Sequence, residues 1–459
     1  MALMEVKNKR VLVVGIGKSG ISAAMFLRGL GARVTVSDTR SAVALAEQIP
    51  TLLDAGIMVE SGGHGLLTFR RQDLIVISPG VPLDTPEVKQ VIGYGLPVIG
   101  ELELASRYLH GSVVAVTGSN GKTTTTSLIG KIFADSGKPT QVGGNIGLPV
   151  IELIAGSADE TVNVLEVSSF QLETTEQFHP RIAVILNITP DHLDRHGSFE
   201  KYVDAKEKIF ANQTPEDALV LNADDVTTQM CAAHAQSQGK PTVYWFSGTK
   251  IVRQGAFVRD GVVCWIEKEG AKTEPVLPVS EIGLKGAHNV ENVLAAVCAA
   301  RLYGIEAEKI RTAVASFKAV EHRLEYVCTS NRVEYFNDSK ATNVDAAIKA
   351  VASFKGCVHL ILGGKDKDSD YTQMNEVLTG RVKTVYTIGS AAEKIERQLA
   401  GVVKIVAAGT LASAVAKAAQ AAVAGDVVLL APACSSFDQF ENYEHRGRVF
   451  RQLVMDLPA

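Results

Sequence analysis

The stretch VVAVTGSNGKTTTT, Val113 to Thr126, decides the reading of this chain. An apolar, β-rich run ends in Thr117-Gly118-Ser119-Asn120-Gly121-Lys122-Thr123. A glycine loop after such a strand aims several backbone N–H groups at one phosphate chain. Lys122 is placed to meet β- and γ-phosphates, and the Thr123 hydroxyl to meet Mg²⁺. The expected substrate is therefore ATP. The full G-x-x-x-x-G-K pattern asks for glycine where the chain has Val116; Gly118 comes first, so the loop is a shortened variant. The competing reading is an ordinary glycine turn between strand and helix, but Gly-Lys-Thr directly after an apolar strand is a specific combination.

The 459 residues suggest about three domains of ordinary size. With 46% hydrophobic and 21% charged residues, each domain can bury a core. A net charge of −4 offers no basic field for a nucleic-acid backbone, so no nucleic-acid partner is expected. The six cysteines are scattered without a C-x-x-C pair and read as small apolar residues in a reducing compartment. The apolar run Val11–Val14 stops at glycine, which is a buried strand and not a signal segment. No run approaches the ~18 apolar residues of a membrane span. The expectation is a cytoplasmic monomer that does not insert into a membrane.

Around the phosphate loop, apolar strands alternate with helical stretches throughout. This predicts an α/β protein of doubly wound, mainly parallel sheets. Residues 1–100 form a Rossmann-like domain with strands at Val11–Val14, Arg33–Ser37 and Leu74–Ile77 and a helix at Ser19–Leu30. Residues 101–318 form a central domain of the P-loop ATPase type, with strands at Val162–Val167, Ile182–Asn187 and Ala218–Asn222 and helices at Ala287–Tyr303 and Glu308–Phe317. Residues 319–459 form a C-terminal Rossmann-like domain starting near Val320. Its strands are expected at Glu334–Asn337, His359–Leu362, Thr384–Ile388 and Val427–Ala431, and its helices at Asp345–Val351 and Thr410–Ala424. The joins fall near Gly100 and Lys318.

Several constellations carry chemistry. Gly15-Ile16-Gly17-Lys18-Ser19-Gly20 follows a strand, with Asp38 ending the next. This fits G-x-G-x-x-G and its acid, a geometry open to any pyrophosphate-bearing nucleotide or to plain helix-on-strand packing. Glu166 ends a strand where Mg²⁺ would lie beside the phosphate loop. The pair His192 and His196 invites a zinc reading, which Pro190 and Gly197 oppose by leaving only a short turn. His192 reads either as a phosphate or Mg²⁺ residue or as part of a helix cap with polar surface histidines. On a helix, Tyr202, Lys206, Ile209 and Phe210 share one face. Lys206 is then either a snorkelling lysine or a desolvated amine free to add CO₂ and become a carbamate. In the last domain Glu321-His322-Arg323, Asn337 to Asn343, Gly363 to Lys367 and Ala431 to Phe440 sit at joins or strand ends, where α/β ligand loops lie.

In order and over the whole chain, TGSNGKT (117–123), GGNIG (143–147), LEVSSFQLE (165–173), LNITPDHLDRH (186–196), HNVEN (288–292), EHR (321–323) and NDSKATN (337–343) resemble the Mur ligase family. The family forms amide bonds at the expense of ATP in peptidoglycan precursor synthesis. The resemblance implies that Gly118, Ser119, Asn120, Gly121, Lys122, Thr123 and Thr124 hold the ATP phosphates. Asn289 and Asn292 then contact adenine, Asp338 the ribose and Arg323 the γ-phosphate. Thr123 and Glu166 bind one Mg²⁺; Glu166, His192 and a carbamylated Lys206 serve a second. Ser19, Asp38, Thr39, Arg40 and Gly80 hold a UDP group, and Asn145 lies beside substrate and phosphate. Lys340, Thr342, Lys367, Ser436, Phe437 and Tyr443 match positions that cradle an amino acid.

The loop GGKDKDSDY and the tail APACSSFDQFENYEHRG resemble those of family members that use D-glutamate, which implies D-glutamate as that amino acid and UDP-N-acetylmuramoyl-L-alanine as its partner. Lys122, His192, Lys206 and Arg323 are then the catalytic candidates. An acyl phosphate on the L-alanine carboxylate is the implied intermediate, with the third domain swinging closed about hinges near Gly100 and Lys318 to exclude water. A folylpolyglutamate synthase of the same superfamily has its phosphate loop close to the N-terminus, unlike this chain. An NAD(P)-dependent oxidoreductase led by Gly15–Gly20 leaves Gly118–Thr123 unexplained.

Overall fold

The computed structural model describes residues 4–239, 241–284, 286–318 and 321–457. The expected start of the third domain near Val320 lies outside them. Val11 to Val14 have no exposed surface. A run buried on both faces is what a parallel sheet with helices on each side requires. The first sheet is five parallel strands in the order Met58–Ser61, Arg33–Asp38, Arg10–Val14, Leu74–Ile77 and Val98–Gly100. Helix Lys18–Gly29 crosses so closely that a Cβ on Gly20 would lie 2.0 Å from the Gly15 carbonyl oxygen. Only glycine permits that approach.

The second sheet has nine strands. Its order is Glu274–Pro278, Val262–Ile266, Gly255–Arg259, Thr242–Ser247, Ala218–Asn222, Ile182–Ile185, Ser112–Thr117, Val162–Glu166 and Thr140–Gly144. Ser112–Thr117 sits between Ile182–Ile185 and Val162–Glu166, all parallel, with Val116 opposite Glu166 and Thr117 opposite Ile185. The phosphate loop, Glu166 and the segment from Leu186 to His192 therefore leave neighbouring strands at one edge, where α/β sheets place their ligands. The antiparallel hairpin at one end of this sheet was not anticipated. Its two-residue turn, Asp260-Gly261, has φ of 51° and 74°, the left-handed pair that suits an Asp-Gly hairpin.

The third sheet runs Glu325–Ser330, Val333–Asn337, Val427–Leu430, Val358–Gly363, Val382–Ile388 and Lys404–Gly409. All pairs are parallel except the first. The expected helices over 345–351 and 410–424 appear as Val344–Ala352 and Leu411–Ala421. The cysteines depart from the expectation in part: four are buried, Cys328 is half-buried and Cys357 is exposed. Among the described residues no helix is long and apolar enough to cross a membrane.

After Gly100, helix Glu101–Ser106 enters the central unit fully buried. The Glu103 carboxylate accepts the N–H groups of Glu176 (2.9 Å), Gln177 (3.0 Å) and Phe178 (3.1 Å) and pairs with Arg107 at 2.5 Å. Three backbone donors, that of Phe178 buried, lose their acceptor together if it is removed, and the buried Arg107 guanidinium is left with only the longer contact to Glu176 at 3.7 Å. Glu103→Ala is expected to lower unfolding free energy by about 3–5 kcal/mol, measured by urea denaturation.

Candidate active site

Gly118 (φ +149°) and Gly121 (φ +87°) shape the phosphate loop, conformations that disfavour any side chain. Helix Lys122–Asp135 starts inside the loop, so its N-terminal N–H groups face the same space. Lys122 Nζ donates to the carbonyls of Gly118 and Ser119, both at 2.8 Å. Burial pushes its pKa below the ordinary lysine value. Ser119 Oγ donates to the Thr189 carbonyl (2.8 Å) and meets the Tyr202 hydroxyl at 3.0 Å. Thr124 is buried beside the loop. Arg323 reaches in from the third unit, where its Nη2 donates to Thr123 Oγ1 at 3.0 Å.

Glu166 is fully buried. Its Oε1 accepts from Asn145 Nδ2 at 2.8 Å, while Oε2 has no partner. An orphaned carboxylate oxygen beside a phosphate loop fits a divalent cation. Among the described residues no three His, Cys, Asp or Glu side chains are grouped to hold a metal by themselves. The site thus suits Mg²⁺ that takes nucleotide phosphates as further ligands. His192 adopts φ 54° and precedes the single turn Leu193–His196, its ring 4.9 Å from Phe170. Burial pushes its pKa down. The surface alternative fails for His196, which is buried between Ser169 (3.0 Å) and Glu173 (2.9 Å).

Snorkelling fails for Lys206. The side chain is 1% exposed, its Nζ donates to the Gly118 carbonyl at 2.9 Å, and it lies 4.5 Å from the Tyr202 ring centre. Desolvation holds its pKa well below the ordinary lysine value. Burial and the nearby Lys122 charge favour its unprotonated amine, the form that can react with CO₂.

One cavity joins Gly121 and Thr124 to Asn289, Asn292, Arg323, Asp338 and Lys340. Asn292 Nδ2 donates to Asn289 Oδ1 (3.0 Å), and its Oδ1 accepts from Thr125 (3.2 Å). Burial raises Asp338 to about 6, against the opposing Arg323 and the Leu324 N–H. Burial also lowers Lys340 to about 8, and its Nζ sits 3.8 Å from the Tyr443 ring centre. The Thr342 N–H donates to the Lys340 carbonyl at 2.8 Å. Lys367 pairs with Asp191 at 3.2 Å. Ser436 is buried, whereas Phe437 is 66% exposed.

A second cleft is lined by Ser19, Asp38, Thr39, Arg40, Gly80 and Asn145. Asp38 Oδ2 accepts the Ile16 N–H at 2.7 Å, and Arg40 grips both carboxylate oxygens. Burial opposes these contacts, yet they hold Asp38 at about 2. A dinucleotide site needs that carboxylate for a ribose hydroxyl; here both oxygens are engaged, which disfavours the oxidoreductase reading. Lys18 Nζ donates to the Gly147 carbonyl (2.8 Å) and Arg195 Nη2 to that of Val81 (2.8 Å), tying cleft walls from two units together. Asn145 lines this cleft and also holds Glu166, which ties the cleft wall to the phosphate site.

Residues 9–100 match the description Mur ligase MurD-like, N-terminal domain. Residues 116–300 match the Mur ligase middle domain, and 322–434 the Mur ligase, glutamate ligase domain. The UDP-N-acetylmuramoylalanine–D-glutamate ligase of Acidobacterium capsulatum is 66% identical over 98% of this chain and 97% of its own. That of Solibacter usitatus is 46% identical over 99% of both. The chain belongs to the Mur ligase family. The UDP-N-acetylmuramate-alanine ligase of Thermotoga maritima shares the fold, with a TM-score of 0.60 at 19% identity, covering 97% of this chain and 99% of that one. A pseudomurein peptide ligase of Methanothermus fervidus does so with 0.60 at 22%, covering 98% and 100%.

Within this Mur ligase, the sequence reading passed over Asp191, Asn187, Arg195, Asn343 and Asp345 as individual site residues. Asn187 clamps Asn120 from both sides, accepting its N–H at 2.9 Å and donating to its carbonyl at 3.1 Å. The only available signal was their place in polar runs at strand ends. The depressed His192 has a direct consequence. Its ring is expected to stay neutral from pH 8 to about pH 5; the ¹⁵N chemical shifts of its imidazole measure this.

Proposed function

We propose that the chain is the ligase that adds D-glutamate to UDP-N-acetylmuramoyl-L-alanine, releasing ADP and phosphate. The observation that carries this reading is the convergence of the N-terminal cleft wall and the third unit on the phosphate-loop region. Asn145 belongs to the N-terminal cleft and holds Glu166, while Arg323 of the third unit bonds Thr123 of the phosphate loop. A carboxylate presented from the first cleft then faces a γ-phosphate, with the amine arriving from the third unit. Relatives at 46–66% identity named for this reaction support it.

Ser19, Asp38, Thr39, Arg40 and Gly80 seat the UDP group and leave the L-alanine carboxylate near Asn145. Both reactants are anionic, so Lys122 and Arg323 offset their repulsion as the γ-phosphoryl moves to the carboxylate. Mg²⁺ bound through Thr123 and Glu166 supplies further charge stabilisation, and a second ion would use Glu166, His192 and carbamylated Lys206. Lys340, Thr342, Lys367, Ser436 and Tyr443 hold D-glutamate, with Phe437 at the rim. Its amine attacks the acyl phosphate, phosphate leaves, and His192 or the lysine carbamate takes the amine proton. Asn289 and Asn292 face adenine and Asp338 the ribose. Units 1–100, 101–318 and 319–459 hinge near Gly100 and Lys318, excluding water from the acyl phosphate. One chain carries every group needed, so a monomer in the cytoplasm suffices.

Phosphate release is expected with ATP, Mg²⁺, UDP-N-acetylmuramoyl-L-alanine and D-glutamate, and not with L-glutamate, L-lysine or diaminopimelate in its place. Release with another of these amino acids overturns the specificity; silence with all four overturns the reaction. Lys206→Ala is expected to cut kcat by about 10²–10³-fold and to abolish a carbamate carbonyl resonance seen in the parent with ¹³C-bicarbonate. Full activity in that variant contradicts the carbamate.

A further inference from the structure

Asn120 sits in the phosphate loop, yet its side chain does not face the phosphate space alone. Its backbone is clamped by Asn187. Its amide reaches across to the third unit, where Nδ2 donates to Asp345 Oδ2 at 2.5 Å and lies 3.5 Å from Asn343 Oδ1. Asn343 Nδ2 returns a bond to Asn120 Oδ1 (3.3 Å) and donates to Asp191 Oδ2 at 2.9 Å. Asp345 also accepts from Thr189 Oγ1 (3.4 Å) and pairs with Lys349 at 3.0 Å. The same Asn343 caps helix Val344–Ala352, its Oδ1 accepting the Ala346 N–H at 2.8 Å. The helix that carries Asp345 is thus anchored at its first turn by the residue that bridges to the loop.

We propose that Asp345 is a positioning residue which, through Asn120, couples the seating of the third unit to the shape of the phosphate loop. The inference rests on the ligase reading above and deepens it. When the third unit is away, Asn120 loses its charged acceptor and Asp345 keeps its pair with Lys349, so loop order and domain seating stabilise each other. Such coupling is reciprocal: whatever orders the loop favours closure, and closure orders the loop. The UDP group binds between the first two units and makes no use of this contact. Ligands that span the central and third units do.

The test uses the full chain. The radius of gyration from small-angle scattering is followed with a non-hydrolysable ATP analogue, Mg²⁺ and UDP-N-acetylmuramoyl-L-alanine, and steady-state kinetics are measured alongside. Asp345→Ala is expected to lose the compaction of the parent, to raise the KM for the amino acid and to lower kcat/KM by at least about tenfold, the scale of one hydrogen bond to a charged group. Its affinity for the UDP substrate should stay within about twofold of the parent, which general damage to the fold would not allow. Asp345→Asn keeps an acceptor for Asn120 and should recover most of the loss. In a double-mutant cycle the losses from Asp345→Ala and Asn120→Ala should be clearly less than additive. Unchanged compaction and kinetics in Asp345→Ala overturn the proposal, as does an equal loss of UDP-substrate affinity. A parent that compacts but releases no phosphate with D-glutamate faults the assigned amino acid and not the coupling, provided Asp345→Ala then fails to compact.

Discussion

Two buried lysine side chains converge on one backbone carbonyl. Lys122 and Lys206 both donate to the Gly118 oxygen, at 2.8 and 2.9 Å. Burying a cation costs several kcal/mol unless an anion or a set of dipoles offsets it. Glu166 and Asp191 supply part of the compensation, while Arg323, Lys340 and Lys367 add further positive charge to the same space. The site therefore holds an excess of positive potential in a low-dielectric pocket. A polyphosphate or a substrate carboxylate would relieve it. Depressed pKa values of the lysines and the orphaned oxygen of Glu166 are two faces of one arrangement: a site shaped for ligands that carry charge in both signs.

The fold exists to assemble that arrangement from three sources. The central sheet supplies the loop and Glu166 from adjacent strand ends. The first unit adds a cleft that reaches the same carboxylate through Asn145. The third unit lends Arg323, Asp338 and Lys340, none of which can serve the loop unless its sheet is docked. An acyl phosphate is stable only where water is scarce, so making the site complete only on docking links charge stabilisation to water exclusion.

Much of this was legible in local sequence. The apolar strands alternating with helices identify three mainly parallel sheets, and Gly-Lys-Thr after Val113–Thr117 locates the phosphate loop, because both signals lie within a few consecutive residues. Three features resisted. The Asp260-Gly261 hairpin was overlooked although its turn signal is strong; the surrounding parallel pattern masked it. The burial of Lys206 could not be decided from one helix face, since the face that covers it comes from Tyr202 and the phosphate loop together. The Asn120 and Asp345 contact spans 225 residues, and no local pattern encodes it. The motifs shared with the Mur ligases supplied residue roles that periodicity cannot.

The central claim is that the Gly118–Thr123 loop, completed by the third unit, is the nucleotide site, and that the Gly15–Gly20 loop serves the UDP group instead. A crystal structure with a non-hydrolysable ATP analogue and UDP-N-acetylmuramoyl-L-alanine tests it most directly. The account predicts the terminal phosphate within hydrogen-bond distance of both Lys122 Nζ and the Arg323 guanidinium, with the UDP pyrophosphate beside Ser19. A nucleotide triphosphate seated against Gly15–Gly20, or one at Gly118–Thr123 that leaves Arg323 out of reach, would contradict it.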